Sequence, residues 1–148
     1  MGLRTNLVNN IMALLTPLVG TAANQFRTVD AVTMSGLQKA IVEQIPMAPF
    51  CLVAYAGKDG GFDGDKAHQF GARFSVFVGA HNLINAAEKR LDADVLMDRV
   101  DDKLMFAKPF GDGQGFMEKV SEGLAGYEVG GIEVWEQIYR ITIWVKPS

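Results

Sequence analysis

Cysteine is almost missing. One residue, Cys51, excludes an internal disulfide, and its neighbours Phe50, Leu52 and Val53 read as a buried strand. A reactive thiolate needs a cationic, partly open setting, and none is visible nearby. Histidine is scarce as well. His68 and His81 stand thirteen positions apart with no H-E-x-x-H or C-x-x-C pattern beside them, which argues against a zinc site. The serines Ser35, Ser75, Ser121 and Ser148 never fall in a G-x-S-x-G elbow, so no acyl-transfer nucleophile is marked. Gly60-Gly61 and Gly130-Gly131 fit neither a phosphate loop nor a dinucleotide fingerprint, and Gly111-Asp112-Gly113-Gln114-Gly115 lacks the lysine and hydroxyl residue that a phosphate loop requires.

Long apolar runs are missing too. The stretch Leu7 to Val19 is interrupted by Asn9, Asn10, Thr16 and Pro17, and it has no basic segment before it beyond Arg4. It is too short to span a bilayer, and the expectation is a protein made and folded in the cytoplasm without membrane partners. A net charge of -3 gives no general attraction to nucleic acid, and no specific nucleic-acid binding is expected.

What is present suits one globular domain over residues 1–148, with 49% hydrophobic and 21% charged residues. Leu7, Ile11, Leu14, Leu15 and Leu18 fall at helical spacing, which predicts a helix from about Leu3 to Leu15, stopped by Pro17. Gln25 to Ala31 reads as a strand. Ser35-Gly36-Leu37-Gln38 has the form of a capping box, so a second helix should open at Ser35, bury Leu37, Ile41 and Ile45, and end at Pro46.

Phe50 to Ala56 is a continuous apolar run of strand length, as expected of a central strand covered on both faces. Phe70 to Ala80 alternates, with Phe70, Ala72, Phe74, Val76 and Val78 on one face and Arg73, Ser75 and Phe77 on the other. Between them, Gly57 to Lys66 holds four glycines and three aspartates and predicts an exposed, mobile hairpin loop. Its aspartates, Asp59, Asp63 and Asp65, could offer oxygen ligands to calcium. The EF-hand pattern fails, however, because Gly61 and Phe70 stand where ligands are required.

A third helix should begin at Asp92 or Asp94, with Val95, Leu96, Val100 and Leu104 inward and Asp98, Arg99, Asp101 and Asp102 in solvent. Lys108 to Gly115 is rich in turn residues, and Phe116, Met117, Val120 and Leu124 have the spacing of one short further helix. A terminal strand, Ile132 to Lys146, carries Trp135, Tyr139, Ile141, Ile143 and Val145 on one face. Glu136, Ile138, Arg140, Thr142 and Trp144 lie on the other. The expected class is α+β: a mixed or antiparallel sheet of about four to five strands with helices packed on one face.

The order of segments carries a resemblance. Phe26-Arg27-Thr28-Val29-Asp30, a helix, and Pro49-Phe50-Cys51-Leu52-Val53-Ala54-Tyr55-Ala56-Gly57 resemble successive segments of the Mu-like phage tail-terminator (tail completion) family. Phe74 to Leu83 is similar to that family's F-x-V-x-V-x-A-x-N-L segment, and Leu96-Met97-Asp98-Arg99-Val100 to its L-L-D-x-V helix. The likeness runs over roughly residues 5 to 146 and departs from the family at Phe110 to Gly126, which is longer here.

The resemblance implies a virion structural protein, not an enzyme, with no cofactor. Its partners would be further copies of itself in a ring, taken as a hexamer, the tail tube protein and the head-tail connector protein. Ring closure joins two different patches of each subunit. The residues expected to make these contacts are Lys58, Asp59, Phe62, Asp63, Asp65 and Lys66, with Phe62 as an aromatic anchor; Trp135 and Trp144 are further candidates, but the reading preferred for both is as core or sheet-face residues. Other connector or tube subunits, and a small-molecule or metal-binding module using the aspartate loop, are the alternatives.

Overall fold

The computed structural model describes residues 3–22, 25–64, 67–81, 86–109, 117–129 and 132–145; within these, side chains at 3–4, 58–64, 67–70, 81, 86–92, 127–129 and 143–145 are not described. Along the chain come α1 (Leu3–Leu15), β1 (Thr28–Val32), α2 (Leu37–Gln44), β2 (Phe50–Gly64), β3 (Ala67–His81), α3 (Ala86–Leu104), β4 (Met117–Val129) and β5 (Ile132–Val145). The strands form one five-stranded sheet in the order β1-β2-β3-β5-β4. β1 runs parallel to β2, with α2 as the crossover that such a pair requires, and all other neighbours are antiparallel. The fold is α+β with a mixed sheet.

Strand alternation divides the core in two. Cys51 and Val53 of β2, Ala72, Phe74, Val76 and Val78 of β3, and Tyr139 and Ile141 of β5 pack under α1 and α3. Phe50, Leu52 and Ala54 of β2, Phe77 of β3, and Ile132 and Val134 of β5 pack with Leu37 and Ile41 of α2. Helices therefore cover both faces, where one face was expected. The apolar spacing on α2 was visible in the sequence, but the side to which its crossover carries it was not.

α1 has the predicted bounds, and Leu7, Ile11 and Leu15 at successive i+4 positions are buried. Pro17 sits inside a short 3-10 turn, Thr16–Leu18, that ends the helical path. β1 starts three residues later than expected, because Phe26 makes an isolated bridge with Val19 outside the strand. The capping box does not form. Helix α2 opens after Gly36 with no side-chain cap hydrogen bond, and the Thr33 hydroxyl accepts from the Gly36 amide at 3.1 Å in the turn that precedes it. Leu37 and Ile41 are buried as expected, and Ile45 is partly buried.

β2 is the expected central strand, with every side chain from Phe50 to Ala54 buried. Opposite Phe50 stands Gly79 of β3, and a Cβ there would lie 2.1 Å from the Phe50 ring, so glycine makes room for the aromatic. α3 begins at Ala86, earlier than expected. Leu96, Val100 and Leu104 point inward, joined by Ala93 and Met97, whereas Val95 is exposed.

The largest correction concerns Met117 to Leu124, which is strand and not helix. Part of the turn-rich connection before it, and Phe116, lie outside the described residues.

Candidate assembly surfaces

β1 leaves β2 at the Val32–Ala54 pair, and β4 meets β5 only from Ile141 inward. Beyond those points, among the described residues, β2, β3 and β5 continue alone to Gly64, Ala67 and Val145. The glycine-rich segment predicted as a loop is thus mostly ladder: β2 runs on through Gly64 and pairs with β3 as far as Gly64–Ala67. Glycine and aspartate cannot build a core, but an antiparallel pair bonds through its backbone and needs no core at its end. Two register shifts, at Tyr55/Gly57 and Asp59/Phe62, and a Gly57 φ of 127° absorb the misfit.

Four of the six expected contact residues are placed by register on this arm: Lys58 opposite Ala72, Asp59 opposite Gly71, Phe62 opposite Gln69 and Asp63 opposite His68. Asp65 and Lys66 lie outside the described residues. His68 and His81 mark the two ends of the β3–β5 pairing. Trp135 is half-buried against the core under α1 and α3, in keeping with a sheet-face residue. Among the described residues, no group of three His, Cys, Asp or Glu is placed to hold a metal ion, and no helix is long and apolar enough to cross a membrane.

The two edges of the sheet differ. Beside β1, an open groove of about 400 Å³ lies against α1, lined chiefly by Val8, Ala31, Val32, Met34 and Tyr55. The Ala31 amide on that edge is taken up by the Asp30 carboxylate at 2.9 Å. At the other edge, β4 exposes Val120 and Leu124. Phe106, where the chain leaves α3 with a φ of 62°, is 67% exposed.

Sequence reasoning missed one constellation. Asp101 was assigned to solvent with Asp102, but it is the hub of a partly buried polar cluster joining α3, β4 and β5. Its carboxylate accepts from the Tyr139 hydroxyl at 2.5 Å, from the Gln137 amide at 3.1 Å and from the Lys119 ammonium at 2.8 Å. Lys119 also donates to Glu122 at 2.5 Å, and the Gln137 amide donates to the Met97 carbonyl at 3.0 Å.

Burial, then the hydrogen bond and charge of Asp101, push the Tyr139 phenol well above its ordinary range. For Lys119, burial works downward, but the hydrogen bonds and charges of Asp101 and Glu122 outweigh it and leave the ammonium favoured. Burial alone raises the Cys51 thiol far out of the reactive range, which bears out its reading as a packed core residue. On the opposite face, the buried Ser75 hydroxyl donates to Glu136 at 2.6 Å. Lone aspartate pairs in a sequence carry no sign of partners 18 and 38 residues away, so no local signal could have found the Asp101 cluster.

No protein-family model and no curated protein matches the chain. Among solved structures it is similar to one described as "Virion of native gene transfer agent (GTA) particle", with a TM-score of 0.56 and 17% identity, over 97% of this chain and 95% of that one. At that identity the likeness is one of fold, and it extends over nearly the whole length of both chains.

Proposed function

We propose that this chain is a virion structural protein of a phage-like particle, and within that class a tail terminator: a subunit that closes the end of the tail tube as a ring and joins it to the head connector. The observation that carries the reading is the end-to-end fold likeness to a chain of a gene transfer agent virion. A virion subunit acts through its surfaces, and the three-stranded arm and two unlike sheet edges offer surfaces of the kind head-to-tail ring closure uses.

The tail-end role rests on the succession of family-like segments. The residues of those segments that the structure describes lie on or beside β1, β2, β3 and α3. The ring of six, the tail tube and connector as partners, a non-enzymatic role and a place in the virion tail belong to the same proposal. So does the assignment of Lys58, Asp59, Phe62, Asp63, Asp65 and Lys66 to the contacts.

Negative-stain imaging of the purified chain mixed with tail tubes from its own particle tests the role. Density closing one end of each tube is expected, and Phe62→Ala should weaken it. Incorporation along the length of tubes would reassign the chain as a tube subunit. Absence from tubes of any length would remove the tail role.

A further inference from the structure

We propose that Asp101, Lys119, Glu122, Gln137 and Tyr139 form a clasp that holds the β4 edge on the sheet, and that β4 opens locally when the clasp is undone while the rest of the sheet stays folded. Met117, the first residue of β4, is buried in the core under α1 and α3 and exchanges backbone hydrogen bonds with Phe106 and Ala107, but beyond it the strand has little else to hold it. None of its side chains from Glu118 to Gly126 is buried, and its apolar residues Val120 and Leu124 are 43% and 59% exposed.

Its ladder to β5 is broken twice. Val120 is unmatched between the Lys119–Tyr139 and Ser121–Ile138 pairs, and a second shift separates Leu124–Trp135 from Glu128–Glu133. Gly126, at a φ of 80°, lies within the second break. Regions with few buried apolar contacts and interrupted backbone bonding are the ones that open below the global unfolding free energy.

The clasp gathers three elements at one point: Asp101 from α3, Lys119 and Glu122 from β4, and Gln137 and Tyr139 from β5. Lys119 is its key because it lies between two carboxylates, bonding Asp101 on one side and Glu122 on the other. Without the ammonium, Asp101 and Glu122 face each other across the α3–β4 seam and repel. Gln137 adds a second bias toward opening. Its amide nitrogen reaches Met97, Asp101 and Glu122, but its carbonyl oxygen is buried without a hydrogen-bond partner, and an opening that admits water would satisfy it.

An edge strand that leaves without unfolding the sheet exposes the backbone of β5 to a strand from a second copy of the chain. That use rests on the virion-subunit reading; the opening itself does not.

Native-state hydrogen exchange on the full chain tests the clasp, comparing amides of residues 118–126 with those of 72–80. In the wild type the β4 amides should exchange through local opening and the β3 amides only with global unfolding. Lys119→Met should speed β4 exchange by roughly tenfold or more while β3 keeps its rate. Lys119→Arg, which can bridge the same two carboxylates, should restore most of the protection. If the methionine variant does not fold, Tyr139→Phe removes one hydrogen bond of the clasp and should move β4 in the same direction by less. Unchanged β4 exchange in these variants, or β4 and β3 losing protection in step, overturns the clasp. Failure of the chain to enter particles would remove the use assigned to the opening and leave the exchange result standing.

Discussion

Two strands of one sheet are held by opposite means. β3 lies between β2 and β5, its ladder to β5 runs unbroken from His68–Val145 to His81–Ile132, and Ala72, Phe74, Val76 and Val78 are buried beneath two helices. β4 lies at an edge, its ladder shifts twice, and past the buried Met117 a polar cluster does the anchoring that apolar burial does for β3. Apolar contacts are non-directional and accumulate with area, whereas the β4 anchor depends on a few groups in fixed geometry. The centre of the sheet should therefore lose stability in large, graded steps. The edge should lose little global stability but much local order.

The largest effect should come from Phe74→Ala, which empties a fully buried site. A loss of about 3–5 kcal/mol in denaturant unfolding is expected, and a loss under about 1 kcal/mol would contradict the packed-centre account. Gly79→Ala attacks the same region by overfilling it, since the new methyl meets the Phe50 ring. It should cost about 3 kcal/mol, and a Phe50→Leu background should recover part of that in a double-mutant cycle.

At the edge, Asp101→Asn leaves Lys119 with Glu122 alone and weakens the acceptor for Tyr139. About 1–3 kcal/mol is expected by thermal or chemical unfolding, with β4 amides losing more protection than those of β3.

Alkaline pH touches both regions. The folded values of Cys51, Tyr139 and Lys119 lie above their ordinary 9.0, 10.0 and 10.5. A raised folded value means that the unfolded chain gives up its proton first. The stability these groups supply is complete below the ordinary values and is lost as pH climbs past them. Stability should hold through neutrality and fall from about pH 9, and Cys51→Ala should delay the onset toward about pH 10. Stability that rises between these pH values would contradict the buried, protonated assignment. The smallest effect belongs to Leu124→Ala, an exposed apolar residue of β4, which should change unfolding by about 0.5 kcal/mol or less.

The same contrast explains what could be read from the sequence. α1 and β3 were legible because their apolar residues repeat at helical or two-residue spacing, and the core of β2 because its apolar run is continuous over the length of a strand. β4 was not, because its bulge breaks the two-residue period. Met117, Lys119, Glu122 and Leu124 share the α3-facing side only because Val120 is the extra residue, and the mixed spacing that results imitates a helical turn. The Gly57–Lys66 segment misled for a different reason. Composition reports whether side chains can pack, not whether two backbones can pair. Of the surfaces, the six candidate contact residues were singled out by composition, whereas the Asp101 clasp depends on elements brought together only by the fold.

The central claim, that the chain is a subunit of a virion and sits at the tail end, is tested most directly by locating it in purified particles. A gold-labelled terminal tag on the chain, imaged in intact virions, should mark one site per particle at the junction of head and tail. Particles that lack the label while the untagged protein is also missing from their composition would contradict the account.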